Sequence, residues 1–140
     1  MQAQTNFLFV LDNVYRVVHD TYMKNAFGSY VREKREALRQ KDKSYSLRQV
    51  AERIGIEPSY LSKVERGFPA PLSEGKIRAL SDELEENPDI MLALSGKVSS
   101  DVLDIIRKRP ELFADLIRQM KEMPDNAVLR LVREVRDGDW

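Results

Sequence analysis

Apolar residues recur at helical rather than alternating spacing along most of the chain, and helix start and stop signals cut this pattern into short segments. From Ala26 to about Gln40, Phe27, Tyr30, Val31, Lys34 and Leu38 share one side of a predicted helix, with Arg, Lys and Glu elsewhere. A polar connection, Lys41 to Tyr45, leads to Ser46, whose hydroxyl is placed to cap a second helix through Val50, Ala51 and Ile54 that Gly55 ends. A third helix starts at Glu57, read as its N-cap, or at Pro58, and stops at Gly67. Phe68-Pro69-Ala70-Pro71 reads as an extended connector. Ser73 caps a fourth helix through Ile77, Leu80 and Leu84, and Asn87-Pro88 opens a fifth with Ile90, Met91 and Leu94 facing inward. Gly96 closes this block, and three more helical segments follow, opening at Ser99 or Ser100, Pro110 and Pro124. The expected fold class is therefore all-α. Before Met23 the run Phe7 to Leu11, with Val14, Tyr15, Val17 and Val18, fits a strand or a helix turn equally. Three segments are expected: an arm or extension over 1–24, a helical domain over 25–96 and a helical association segment over 97–140.

A chain of 140 residues buries one modest core, or a small domain with an appended association element. Without cysteine there are no disulfides, thiolate zinc sites or cysteine nucleophiles, and the interior holds by packing. No stretch has the apolar length of a membrane span and the start lacks a secretory signal, so a cytoplasmic protein with no membrane partner is expected. The formal net charge is zero, which argues against nucleic acid until the charges are placed along the chain. Residues 24–70 carry 11 basic and 6 acidic side chains, whereas residues 71–140 carry 11 and 15. A basic middle and an acidic end suit a chain that meets phosphates with one part and protein with the other.

The second and third predicted helices lie so close in sequence that they must cross steeply over a small interface. Ala51 meets the need for a small residue there, and Val50, Ile54, Ile56, Leu61 and Val64 supply the apolar contacts. With Leu61 and Val64 buried, helical periodicity turns Ser59, Ser62, Lys63 and Arg66 to the opposite side. Small hydroxyls approach base edges closely, and Lys63 has the reach to donate to guanine or to a phosphate.

The run from Ser46 to Gly67, with its Val50-Ala51 pair, turn glycine Gly55, Tyr60-Leu61-Ser62 and terminal Glu65-Arg66-Gly67, resembles the helix-turn-helix of the Xre family, the phage Cro and C1 repressor type. The likeness covers about residues 26–95 and implies a five-helix, lambda-repressor-like DNA-binding domain. By this resemblance Pro58, Ser59, Ser62 and Lys63 are expected to contact bases. Ser46, Arg48 and Arg66 are expected on phosphates, with Arg48 standing in because Leu47 replaces a glutamine common in the family. The resemblance also pairs Arg35 with Glu65, a structural role.

Other chemistry is weakly represented. His19 is the single histidine, and the acidic run Asp82, Glu83, Glu85 and Glu86 spreads around a helix instead of converging. No metal site, cofactor or enzyme activity is expected. In 98–140 the stripes of Val102, Leu103, Ile105 and Ile106, of Leu112, Phe113, Leu116 and Ile117, and of Val128 to Val135 exceed what three short helices bury alone. A homodimer through 97–140 is expected, the competing arrangement being a fold-back onto the chain's own domain. Trp140 is read as either a frayed end or an apolar anchor in a partner groove, with the anchor favoured. The functional expectation is a homodimeric repressor on an inverted-repeat operator in double-stranded DNA. The rival is an antitoxin that binds DNA and a toxin, and a protease that cuts the chain is a further possible partner.

Overall fold

The computed structural model describes residues 26–140, all of whose regular structure is helical. The 1–24 segment and His19 lie outside the described residues. Eight helices appear among them: α1 (26–39), α2 (Leu47–Ile54), α3 (Pro58–Glu65), α4 (Glu74–Leu84), α5 (Pro88–Leu94), α6 (Ser100–Lys108), α7 (Pro110–Met120) and α8 (Asp125–Asp137). A 3₁₀ turn, Lys43–Tyr45, joins α1 to α2. The chain divides into two compact units between Ser99 and Ser100.

In the first unit, α2 packs on α3 and α4, and α4 on α5. The core they enclose contains Val31 of α1, Val50, Ala51 and Ile54 of α2, Leu61 and Val64 of α3, Ile77, Leu80 and Leu84 of α4, and Met91 and Leu92 of α5. Helix ends are locally encoded. Ser46 Oγ accepts from the Gln49 N–H (3.3 Å), Ser73 Oγ from Lys76 (3.2 Å) and Asn87 Oδ1 from Asp89 (2.8 Å), each filling a free amide of a first turn. Gly55, Gly67 and Gly96 all take positive φ. The face of α5 differs from the expectation in one position. Ile90 is exposed while Met91 and Leu92 are buried, because α5 has only seven residues and the wall offered by α4 selects its inner face.

Gly28 supplies a contact that its sequence neighbourhood does not announce. A Cβ there would stand 2.2 Å from the Val64 carbonyl oxygen, so α1 lies backbone to backbone against the end of α3. Across the unit, Tyr30 Oη donates to Glu86 (2.7 Å) and Lys34 pairs with the same carboxylate at 3.4 Å, fastening α1 beyond the end of α4. This bond, with burial second and the charges of Glu86 and Glu33 behind it, pushes the Tyr30 hydroxyl up to about 12.

The second unit is α6 to α8, with α6 packed on α7. None of its residues is buried. Leu103, Ile106, Phe113, Met120, Val128 and Leu131 are half-covered, while Val102, Ile105, Leu112, Ile117, Val132 and Val135 stand exposed. Trp140 is almost fully exposed and its indole N–H donates back to the Val135 carbonyl at 3.1 Å.

Candidate DNA-binding surface

The site begins at Ser46. Its side chain caps α2, and the Gln49 side-chain nitrogen, turned toward Ser46 Oγ and the Lys43 carbonyl (3.0 Å each), ties the cap to the preceding 3₁₀ turn; the Ser46 N–H itself donates to the Lys43 carbonyl (3.3 Å), so the reciprocal bond of a capping box is not made. Leu47 lies half-buried against the core, an apolar role unlike that of a polar residue at this place. Arg48 projects outward, held only by an exposed pair with Glu52 one turn on (3.1 Å). Such a pair contributes about 0.3–0.5 kcal/mol, so Arg48 is readily released to a stronger anion.

Between α2 and α3 the chain turns at Gly55 (φ 75°). Lys76 reaches across from α4 and donates to the carbonyls of Ile54 (2.8 Å) and Gly55 (3.2 Å), placing a cation on the carbonyl end of α2. No sequence signal connected Lys76 to that helix, more than twenty residues upstream. Pro58 opens α3 without needing an amide partner, and Glu57 precedes it at the N-cap position. Glu57 corrects one expectation, because its side chain makes no capping bond and is exposed. The backbone at Glu57 is extended just as at the capping residues Ser46 and Ser73, so the difference lies in the side chain: the short side chains favoured at N-caps place an oxygen on the first-turn amides, and the longer glutamate does not.

Leu61, Val64 and Glu65 face inward along α3. On the other side Ser59, Lys63 and Arg66 are exposed, and Pro58 and Ser62 half-exposed, so all five sequence-selected residues of α3 and its C-cap share an outward surface. Neither Lys63 nor Arg66 has an ion-pair partner among the described residues, whereas Arg53 is taken up by Glu83 (2.6 Å) and the Tyr45 ring.

The inner side of α3 is tied down by charge. Arg35 of α1 is 3% exposed and Glu65 7%, and they meet in a fork: Nε to Oε1 at 2.6 Å and Nη2 to Oε2 at 3.0 Å. Arg35 Nη1 also donates to the Tyr45 carbonyl (3.2 Å) and Nη2 to Glu36 (3.0 Å), so one guanidinium binds α1, α3 and the 3₁₀ turn together. Burial works against its charge, and the hydrogen bonds and charge of Glu65, joined by Glu36, outweigh that cost and raise its pKa above the ordinary guanidinium value.

A short second helix, braced on the first and displaying a polar, partly basic face, is the geometry of a module that enters a major groove. Residues 33–91 match the family model described as helix-turn-helix. These residues form a Cro/C1-type helix-turn-helix domain. A domain of this kind supports a DNA-binding transcriptional regulator. Neither the curated proteins nor the solved structures yield a match to the chain. Among the described residues no helix is long and apolar enough to cross a membrane.

Proposed function

We propose that this helix-turn-helix regulator is a homodimeric repressor that reads an inverted-repeat operator with α3 in the major groove. The observation that carries the reading is the outward set Pro58, Ser59, Ser62 and Lys63, presented by a helix whose opposite side is locked by Leu61, Val64 and the Arg35–Glu65 fork. These four residues contact base edges, while Ser46, Arg48 and Arg66 contact phosphates that set register. Dimerisation is supported by the second unit, whose three helices keep large apolar residues exposed and bury none. Two copies place two recognition helices about one turn of DNA apart, and occupation of a promoter by such a dimer excludes polymerase. The protein works in the cytoplasm, where its DNA is.

Selection of bound duplexes from a random pool, followed by footprinting, tests the reading. Two half-sites with centres roughly 10–10.5 base pairs apart, or a multiple of that, are expected. Enrichment of no sequence would overturn it. On the selected site Lys63→Ala costs about 1–3 kcal/mol and relaxes the preference at one position, whereas an equal loss on random duplex would assign Lys63 to the backbone. Sedimentation of the full chain and of residues 1–99 is expected to give dimer and monomer, respectively. A dimer in both would remove the second unit from the interface.

The exposed apolar side of the second unit also favours a second reading, an antitoxin whose C-terminal helices cover a toxin. A full chain that is monomeric alone and forms a stable complex with the product of an adjacent gene would select that reading over the homodimer.

A further inference from the structure

Helix α3 ends in a complete Schellman motif: the Gly67 N–H donates to the Val64 carbonyl (3.1 Å), the Phe68 N–H to the Lys63 carbonyl (3.0 Å), and Gly67 takes φ 79°. Ordinarily the residue in the place of Phe68 packs on an apolar side chain in the last turns of the helix. Here the positions it faces are Ser62 and Lys63, both polar and on the outward surface, and Phe68 stays 54% exposed. Its ring instead carries the Arg66 guanidinium, whose central carbon lies 4.9 Å from the ring centroid. Arg66 Nε donates to the Ser62 carbonyl at 3.3 Å. The guanidinium is therefore engaged at Nε and by the aromatic ring, while no ion-pair partner among the described residues takes its terminal nitrogens.

We propose that Phe68 is a positioning residue for DNA binding: its ring holds the Arg66 guanidinium at the C-terminal end of α3 with the terminal nitrogens directed to a backbone phosphate. An exposed arginine surrenders much rotamer freedom when it docks, and a stacked, hydrogen-bonded one has surrendered part of it beforehand. A phosphate needs the planar fork that stacking leaves open. The inference rests on the assignment of Arg66 to a phosphate and adds the residue that orients it.

Because a phosphate contact is indifferent to sequence, the probe is a random-sequence 30-base-pair duplex, titrated by fluorescence anisotropy over a salt series, with thermal melting of each variant alongside. Arg66→Ala is expected to weaken binding and reduce the slope of log K against log salt by about one. Phe68→Leu, which keeps an apolar side chain but no π face, is expected to weaken binding about two- to five-fold, in line with an exposed cation–π contact. Phe68→Trp is expected to restore it. In the Arg66→Ala background, Phe68→Leu is expected to have no further effect, as two residues acting through one contact require. Failure of the unaltered protein to bind the duplex would overturn the DNA-binding reading itself. Unchanged binding by Arg66→Ala would overturn its phosphate contact and the inference with it. Full binding by Phe68→Leu, or a loss that persists without Arg66, would overturn the role of Phe68 alone.

Discussion

Replacing Glu65 with Ala strands the Arg35 guanidinium, 3% exposed, without the carboxylate that takes two of its hydrogen bonds at 2.6 and 3.0 Å. The remaining acceptors are the Tyr45 carbonyl at 3.2 Å and Glu36 at 3.0 Å on the rim. Leaving a buried charge without its partner costs about 3–5 kcal/mol, several times the value of an exposed pair. A domain of this size has a total stability of about 5–15 kcal/mol, so the variant is expected to be marginal at room temperature. The double variant Arg35→Met/Glu65→Leu is expected to recover most of the loss, because it removes both desolvated charges at once. Urea unfolding followed by near-ultraviolet circular dichroism of the tyrosines reports the first unit separately, since the single tryptophan is Trp140 in the second. A loss below about 1 kcal/mol for Glu65→Ala, or a double variant no better than the single, would refute the argument that the fork is a desolvated, mutually dependent pair.

Three further outcomes follow from the packing. Gly28→Ala forces a Cβ to 2.2 Å from a backbone oxygen of α3 and is expected to cost about 1–3 kcal/mol or more, with weakened DNA binding as α3 shifts; a normal urea midpoint would show that α1 yields freely. Lys76→Met removes two hydrogen bonds to the end of α2 and is expected to destabilise by about 1–2 kcal/mol, against an unchanged midpoint if water replaces the ammonium without cost. Tyr30 is an acid whose folded pKa lies above its ordinary value of 10.0, so its contribution is complete below about pH 10 and is lost as pH rises toward about 12. The stability difference between the protein and Tyr30→Phe, measured by urea melts, is expected to shrink over that range, and titration of the Tyr30 phenol at its ordinary value would contradict the bond to Glu86.

Helix limits were legible because their causes are local. Ser46, Ser73 and Asn87 satisfy amides two or three residues away, and Gly55, Gly67 and Gly96 take a backbone conformation that other residues adopt at a cost. The outward face of α3 was legible for the same reason: once Leu61 and Val64 are inside, a period of 3.6 residues leaves little choice for Ser59, Ser62 and Lys63. The Arg35–Glu65 partnership, thirty residues apart, came from family resemblance, since no periodicity links α1 to α3.

Other features depended on which helix stands opposite. Ile90 and Met91 are equally apolar candidates for the inside of a two-turn helix, and the packing of α5 on α4 gave the place to Met91. Gly28, Lys76 and Phe68 look ordinary along the chain. They acquire their roles only where the Val64 carbonyl, the end of α2 and the Arg66 guanidinium arrive beside them. By itself the sequence determined the helices, their ends and the polar face that α3 presents, because these follow from hydrogen bonds and periodicity within a few residues. Tertiary structure decided what holds that face in place and what fills the space beside it, because those forces act between residues that the chain brings together only on folding.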